Sequence, residues 1–333
     1  MLTVTLLDSY VKLYKVKYYK SNIMFKNKIN TIIVTYNPEI NRLQKVILQA
    51  SLQTQKVIVI DNNSQNFYKV KRTVNGLLPT RKNIKIIGLN RNLGLAGALN
   101  KGIKYITQKK FRINFILTLD QDTILKKDAI KTISNEYKKL PANIKNKVGI
   151  IHMNYEKPGK RLIDRFIFNE TKLQKNKLYL FNRYQSFFPV KYVIQSGMLI
   201  KKSVAARFKF KAPLFIDQVD REYCTKIIKA ENIILESNKI LLHHNLGIFK
   251  KYNGKTIHYE NANRLYYFTR NSTYLLKEKE LPYLEYFFGI TMFYRKYVIA
   301  NGFHTIPKLV KIFIIGIHDG CVGKLGKTEL DFI

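Results

Sequence analysis

The chain has 333 residues, of which 46% are apolar, and it carries 59 lysines and arginines against 22 aspartates and glutamates. This composition excludes a disordered chain, because enough apolar side chains are present to bury the core of one large or two smaller domains. The formal net charge of +37 favours polyanionic partners, such as nucleic acid, anionic lipid or phosphorylated substrates, without choosing among them.

Two cysteines, Cys224 and Cys321, lie far apart in the sequence and fit no metal or redox spacing. We interpret them as ordinary thiols in a reducing compartment. No apolar run reaches the roughly 20 residues that span a bilayer, and lysines interrupt the N-terminal stretch where a secretion signal would need an apolar core. The sequence therefore predicts a cytoplasmic protein.

Short β-like runs alternate with helical stretches in the first part of the chain. Such alternation predicts a mainly parallel sheet with helices on both faces. In open sheets of this kind, ligands bind at the carboxyl ends of the strands, and polar residues stand at each of those ends here. The predicted strands are 31–36 (TIIVTY), 56–61 (KVIVID), 84–89 (IKIIGL) and 115–119 (FILTL).

The sequence LTLDQDT ends the fourth predicted strand with two carboxylates. Asp120 and Asp122 are two positions apart, so an extended backbone points both side chains the same way. Paired carboxylates suit Mg²⁺ or Mn²⁺ and leave room for phosphate oxygens. An isolated DxD sequence is common on surface loops, but its position after an apolar strand favours a metal site.

A glycine-containing loop, NRNLGLAGALNKGI, follows the third predicted strand. Gly94 and Gly97 permit a close backbone approach, and the helix that follows would offer its N-terminal N–H groups to an anion. The spacing matches neither a dinucleotide-binding GxGxxG sequence nor a Walker loop. For either glycine alone, simple helix packing is an equally good explanation.

Two further clusters contain titratable residues. FIDQVDREYC holds Asp217, Asp220 and Glu222, and close carboxylates raise one another's pKa, which gives a group able to accept a proton near neutral pH. The same acids would suit an ordinary helix N-terminus. His243 and His244 follow the apolar run IILESNKILL, where a histidine is either a third metal ligand or a structural residue.

Beyond about residue 254 the sequence changes to aromatic, basic, helical segments. Tyr and Phe rings beside Lys and Arg suit a membrane interface with anionic lipid, and they also suit helices that pack on a core. One helix could use different faces for each purpose.

Taken in order, these sequences resemble the family-two nucleotide-sugar glycosyltransferases with a GT-A fold, most closely their rhamnosyltransferase-like branch. The resemblance extends over roughly residues 29–326, and the ordered set is far more specific than any single motif. Departures from the family pattern are the lysines of ARFKFKAPLFID and Lys226, where an arginine is usual. The matching sequences are IIVTYNP, VIVIDNNS, NLGLAGALNKGI, LTLDQDT, the SG of IQSGMLI, LFIDQVDREYC, HHNLG, YYFTRN and GIHDGCVGKLG.

The resemblance implies an α/β fold of the GT-A type, Rossmann-like, with a mainly parallel central sheet, helices on both faces and a C-terminal helical segment. It implies a catalytic domain at 24–250, made of a donor half at 29–125 and an acceptor half at 126–250. Residues 1–23 would form an N-terminal extension, and 251–333 a basic, aromatic, membrane-proximal region.

The resemblance also implies a role for individual residues. Asp220 would be the catalytic base, and Asp122 and His244 would ligate Mg²⁺ or Mn²⁺. The donor would be bound by Tyr36 and Asp61 at the nucleoside base, Asn92 and Gly94 in the glycine loop, Asp120 near the ribose and diphosphate, and Arg270 at the phosphates.

These roles describe an inverting, metal-dependent glycosyltransferase that uses a nucleotide-diphosphate sugar. dTDP-L-rhamnose is the first candidate donor, and UDP-galactofuranose and UDP-hexoses are alternatives. The expected acceptor is a polyprenyl-diphosphate-linked saccharide of surface glycan synthesis. The expected location is cytoplasmic, peripheral at the inner face of the cell membrane, on an anionic lipid surface.

The rival from another class is a basic nucleic-acid-binding protein, which the charge and the interleaved aromatics favour. No RNP, KH, zinc-finger or helix-turn-helix pattern occurs, and acidic residues gather at the predicted sheet edge, so we expect no nucleic-acid partner. A nucleotidyltransferase would also use paired carboxylates, but it would be expected to carry a basic glycine-rich sequence beside the first strand.

Overall fold

The computed structural model describes residues 28–109, 111–155, 186–244, 248–252 and 255–328. Within these ranges, a nine-stranded sheet is accompanied by a two-stranded hairpin and by helices. The strands are β1 (Ile29–Thr35), β2 (Lys56–Asp61), β3 (Ile84–Gly88), β4 (Phe115–Asp120), β5 (Ile124–Leu125), β6 (Val148–Tyr155), β7 (Phe187–Pro189), β8 (Met198–Lys201), β9 (Ile233–His243), β10 (Ile248–Tyr252) and β11 (Lys255–Tyr259). The helices are α1 (Ile40–Gln53), α2 (Phe67–Leu77), α3 (Gly94–Gln108), α4 (Ala129–Lys139), α5 (Ala142–Lys147), α6 (Lys202–Arg207), α7 (Val219–Lys229), α8 (Ala262–Lys277), α9 (Tyr283–Asn301) and α10 (Ile306–Val322).

The sheet begins as a parallel unit and continues as a mixed one. Strand β1 pairs in parallel with β2 and β4, and β2 pairs in parallel with β3. Strand β8 then pairs antiparallel with both β4 and β6, while β6 pairs in parallel with β9. The order is β3-β2-β1-β4-β8-β6-β9-β5, with β7 paired to β9. The predicted α/β fold is confirmed, and its continuous parallel run is confined to the first four strands in this order.

Strand β1 shows why its sequence is an almost continuous apolar run. All seven of its residues are buried. Ile29 and Ile33 pack in one core cluster, and Ile32 and Val34 pack in another. Side chains alternate between the two faces of a strand, so a strand covered on both faces needs apolar residues at odd and even positions alike.

The C-terminal helices α8, α9 and α10 contribute to a third core cluster. Helix α10 lies very close to α8 at Gly320, where an added Cβ would be 2.5 Å from the carbonyl oxygen of Arg270. Tyr266 of α8 also donates a 2.7 Å hydrogen bond to the buried carboxylate of Asp319 on α10. Helix packing therefore accounts for the GIHDG part of the C-terminal sequence. No helix in the described ranges is both long and apolar enough to cross a bilayer.

Gly94 joins the glycine loop to the acidic FIDQVD sequence. Its φ of +72° is a conformation that favours glycine, and an added Cβ would lie 2.4 Å from the carbonyl oxygen of Phe215. The same carbonyl accepts a 2.7 Å hydrogen bond from the backbone N–H of Leu95. The start of α3 thus holds the segment that carries Asp217 and Asp220, and only glycine fits at the contact.

We expect Gly94→Ala to lower the free energy of unfolding by about 1–3 kcal/mol, because alanine there is strained and pushes Phe215 away. Gly76→Ala is the matched control. Gly76 is helical, with nothing within 4 Å of an added Cβ, so alanine should raise the free energy of unfolding by about 0.5–1 kcal/mol. Urea unfolding measures both. Equal effects of the two substitutions would contradict the proposed contact.

Candidate functional site

A cavity of about 510 Å³ opens at the edge of the sheet where β1 and β4 end. Tyr36 follows β1, Asp120 ends β4, and His244 follows β9. The segment from Phe215 to Asp220 forms another wall, and residues from the start of α8 close the rim. The carboxyl ends of the strands therefore meet in one concave site, as expected for an open α/β sheet.

Three predicted residues come together as a candidate metal centre. Asp120, Asp122 and His244 each offer one ligand atom, and these atoms all lie within 4.8 Å of one another. Two carboxylates and one imidazole are a donor set that suits Mn²⁺, and the carboxylates also suit Mg²⁺. The three residues present therefore fit a divalent cation, and they leave coordination positions for oxygens of a ligand.

Asp120 is held in place by two residues that precede β8, Gln195 and Ser196. Its Oδ1 accepts a hydrogen bond from the side-chain amide of Gln195, and its backbone N–H donates to Ser196 Oγ over 2.9 Å. The pKa of Asp120 is raised to about 6, mainly because the carboxyl is buried; His244 opposes this rise and Asp122 adds to it. A cation at this position would favour the ionised carboxylate.

His244 is oriented by hydroxyl groups and by Asp122. Its Nδ1 lies 2.5 Å from Thr123 Oγ1 and 3.5 Å from Asp122 Oδ1, and Ser196 Oγ donates to Thr123 Oγ1 over 2.7 Å. Burial lowers the pKa of His244, but the hydrogen bond to Asp122 and the charge of Asp120 outweigh it, so the pKa lies above its ordinary value. Arg42 supports the same corner by donating to the carbonyl of Asp122 over 2.8 Å.

The two aspartates of FIDQVD have different surroundings. Both oxygens of Asp217 accept hydrogen bonds from Arg264, at 2.6 Å from Nε and 2.5 Å from Nη2. Asp220 instead accepts a 2.9 Å bond from the backbone N–H of Arg221. Burial raises the pKa of Asp220, the Arg221 bond partly offsets this, and Asp217 adds to the rise. Asp220 is therefore the better proton acceptor of the two.

Asn271 on α8 fixes the backbone that carries these aspartates. Its amide nitrogen donates to the carbonyl oxygens of Leu214, Ile216 and Asp217 at 2.9, 2.7 and 3.0 Å. Phe215, Asp217 and Gln218 all have positive φ values near 60°, a conformation that costs free energy in non-glycine residues. The TRN sequence of α8 thus supports an otherwise unfavourable backbone beside the cavity.

The structure does not bring Arg270 into the wall of this cavity, and its predicted position at the phosphates stays a prediction. It is fully buried and donates to the carbonyl oxygens of Gly326 at 2.8 Å and Leu214 at 3.1 Å. Its guanidinium also lies 4.9 Å from the ring centre of Tyr267. These contacts occupy its donors, so the structure gives Arg270 a packing role.

Asp61 is also absent from the wall of this cavity, and its predicted place beside the nucleoside base stays a prediction. It is fully buried, and its carboxylate accepts hydrogen bonds from Thr35 Oγ1 at 2.9 Å, Ser64 Oγ at 2.6 Å and Ser64 N–H at 2.9 Å. Hydrogen bonds from the end of β1 and from the turn after β2 therefore occupy both oxygens of its carboxylate. The next residue, Asn62, lines the cavity instead.

The other predicted donor-site residues do line the cavity. Tyr36 is 46% exposed there, and its backbone N–H donates to Gln121 Oε1 over 2.8 Å. Asn92 lines the wall beside Gly94, and its Oδ1 accepts from the Asn62 amide over 2.7 Å and from the Gly94 N–H over 2.9 Å. These contacts join the segment after β1 to that after β4, and the segment after β2 to that after β3, along the polar wall of the cavity.

Arg264 is the main residue that the sequence analysis missed. In the part of the chain that the structure describes, it is the one lining residue with a permanent positive charge, against five carboxylates. A positive charge in the first turn of a helix interacts unfavourably with the helix dipole. A basic residue at such a position therefore indicates that it binds a specific acidic group, which here is Asp217. The five carboxylates are Asp120, Asp122, Asp217, Asp220 and Glu260.

Comparison with known proteins gives this site a context. A model of the family described as glycosyl transferase family 2 matches residues 31–207, which is more than half of the chain. The chain is also 29% identical over 260 residues to the dTDP-rhamnosyl transferase RfbF of Shigella flexneri, and the match covers 78% of this chain and 83% of the relative.

Two solved structures extend the comparison. GalNAc-T7, solved with UDP, GalNAc and Mn²⁺, superposes with a TM-score of 0.50 at 14% identity, covering 79% of this chain and 54% of that one. The mannosyltransferase PcManGT of Pyrobaculum calidifontis, in complex with GDP-Man and Mn²⁺, gives a TM-score of 0.49 at 12% identity and covers 96% and 86%. The likeness to GalNAc-T7 shows a shared fold.

Proposed function

The chain belongs to glycosyl transferase family 2, and from this premise we propose that it transfers a sugar from a nucleoside-diphosphate donor with the help of a divalent cation. The charge of the cavity carries the proposal. Five carboxylates and one arginine line it, so a diphosphate would be repelled unless a cation accompanied it. Asp120, Asp122 and His244 would hold the ion, which when bound would stabilise the leaving diphosphate.

We propose dTDP-L-rhamnose as the donor, since the relative RfbF is a dTDP-rhamnosyl transferase and matches over most of both chains. Tyr36 would face the nucleoside base, while Asn92 and Gly94 would contact the donor beside it. UDP-galactofuranose and UDP-hexoses are the alternatives, and a comparison of UDP binding with dTDP binding would separate them from dTDP-L-rhamnose. Donor selection depends on side chains that touch the base and the sugar.

We propose Asp220 as the base that removes the proton of the acceptor hydroxyl. The oxygen of that hydroxyl would then attack the anomeric carbon as the diphosphate departs on the opposite side, which inverts the configuration. Asp217 would remain bound to Arg264 and keep the loop in place.

The acceptor that we propose is a saccharide on a polyprenyl diphosphate, used to build a surface polysaccharide and met at an anionic membrane. Helix α9 supports this idea, because three of its large apolar residues are exposed to solvent. Tyr283, Leu284 and Phe288 are 68%, 67% and 68% exposed. Its Glu285 pairs with Arg221, the residue after the proposed base. A lipid surface on α9 would therefore lie near Asp220.

We expect dTDP to stabilise the wild-type protein only together with Mn²⁺, by about 2.7 kcal/mol when the ligand is at 100 times its Kd. Asp122→Asn should lose most of this gain, because an amide is a poorer ligand for a hard cation than a carboxylate. Asp128→Asn, at an exposed position outside the cavity, is the matched control and should keep it. Thermal unfolding with and without EDTA measures the effect. Full stabilisation of the wild type in EDTA would contradict metal dependence.

We expect Asp220→Asn to reduce turnover by about 10²–10⁴-fold without weakening the binding of dTDP and Mn²⁺, because only the proton acceptor is removed. Asp217→Asn should mainly lower the melting temperature, since it breaks one side of a pair with Arg264. Steady-state transfer rates and melting curves of both variants decide the assignment. If Asp217→Asn abolished transfer while Asp220→Asn remained active, the base would be Asp217.

We expect the double variant Leu284→Glu/Phe288→Glu to bind anionic vesicles at least about tenfold more weakly than wild type, because it loses buried apolar area and adds negative charge. The matched control is Leu52→Glu/Tyr68→Glu, which changes an exposed aliphatic and an exposed aromatic residue elsewhere. Co-sedimentation at low and high salt measures binding. Unchanged vesicle binding by the double variant would show that α9 does not contact the membrane. If wild type instead formed a concentration-dependent dimer that the double variant lacked, a second copy of the chain would cover α9.

A further inference from the structure

Gln195 occupies a fixed position in the cavity wall, directly before the SG sequence. Its own carbonyl oxygen accepts a hydrogen bond from Thr118 Oγ1, and the next carbonyl, of Ser196, lies 3.1 Å from His152 Nε2. His152 is itself fully buried and lies 3.0 Å from Glu236. The backbone on both sides of the Gln195 side chain is therefore held by buried polar contacts, so the side chain starts from a rigid base.

The orientation of the Gln195 amide follows from its neighbour. Nε2 donates to Asp120 Oδ1, and the reverse orientation would bring two oxygens together at a carboxylate. The donor nitrogen must therefore face Asp120. This leaves Oε1 on the other branch of the amide.

Oε1 of Gln195 has no hydrogen-bond partner among the residues that the structure describes, although the residue is only 3% exposed and lines the cavity. A buried acceptor without a donor destabilises the folded state, so an unpaired acceptor at a cavity needs an explanation. A ligand in the cavity that donates a hydrogen bond to Oε1 would explain the unpaired acceptor.

We propose that Gln195 Oε1 accepts a hydrogen bond from a hydroxyl group of the sugar carried by the donor, which makes Gln195 a specificity-determining residue. The proposal rests on the proposed function, because it assumes that a sugar nucleotide occupies the cavity. Phosphate oxygens are ruled out as partners, since at neutral pH they only accept hydrogen bonds from protein groups. The sugar hydroxyls can donate, and one of them is bonded to the carbon next to the reacting carbon.

The strand order favours the sugar over the nucleoside as the partner. Strand β4, with Asp120 at its end, lies between β1 and β8. Tyr36 follows β1 on one side, while Gln195 precedes β8 on the other. A donor with its base at Tyr36 and its diphosphate at the metal centre extends its sugar toward Gln195.

The test compares binding of dTDP-rhamnose and of dTDP, both with Mn²⁺, to wild type and to Gln195→Met, which has a similar size and no amide. The gain from the sugar is the ratio of the affinity for dTDP-rhamnose to that for dTDP. We expect this ratio to be about tenfold smaller in the variant than in wild type. Mn²⁺ affinity without nucleotide reports separately on Asp120. Gln44→Met, at an exposed position of α1, is the matched control and should leave all three affinities unchanged.

Singly deoxygenated donors identify the hydroxyl on the wild-type protein alone, so the test survives a poorly folded variant. One of them should bind about tenfold more weakly than the parent and should bind equally to wild type and Gln195→Met. If every deoxygenated donor bound as the parent does, or if the variant kept the full gain from the sugar, the inference would be wrong. A variant that loses Mn²⁺ affinity and keeps the gain from the sugar would overturn the inference and limit Gln195 to positioning Asp120 through Nε2. Wild type that binds no nucleotide at all would instead overturn the proposed function.

Discussion

Repulsion among carboxylates in one cavity is the constraint on which the rest of the site depends. Five of them share about 510 Å³, and burial raises the pKa of both Asp120 and Asp220. The fold compensates part of this charge, since Arg264 binds Asp217 through both oxygens. The corner of Asp120, Asp122 and His244 keeps an excess of negative charge. A divalent cation with a diphosphate is the ligand whose charge fits that corner.

The C-terminal helices support this arrangement from behind. Asn271 of α8 bonds to three carbonyl oxygens of the acidic segment, and Gly320 lets α10 lie against α8. The ion pair of Arg221 with Glu285 connects the residue after Asp220 to α9. Direct contacts thus connect the acidic segment at the cavity with the C-terminal helices and with α9, which exposes apolar side chains. These contacts give the motifs near the end of the chain a structural role at the cavity.

The sequence predicted the parts of this structure that depend on local pattern. Apolar runs gave the four strands of the parallel unit, and the position of LTLDQDT after one of them placed Asp120 and Asp122 at the sheet edge. The sequence YVIQSGMLIKK indicated the strand β8, but its antiparallel direction and the hairpin of β10 and β11 were not predicted, because strand direction and pairing depend on contacts between distant residues. The division into domains at 23, 125 and 250 stays a prediction.

Side-chain roles were harder to predict than strands, because they depend on which donors and acceptors the fold brings together. Asp61 lies at a strand end as predicted, but its carboxylate binds Thr35 at the end of β1 and Ser64 in the adjoining turn. Arg270 and Arg264 are two basic residues of one helix, and only the structure shows that Arg264 lines the cavity while Arg270 is buried. Gln195 carried no signal beyond being a polar residue before the SG sequence.

The most direct test of the central claim is X-ray diffraction at the manganese absorption edge from crystals soaked with MnCl₂ and dTDP. The account predicts one anomalous peak within bonding distance of Asp122 and His244 and close to Asp120, with diphosphate oxygens of the nucleotide on the same ion. Nucleotide bound in the cavity with no manganese at these three residues would contradict it, as would a manganese ion and nucleotide bound at separate places.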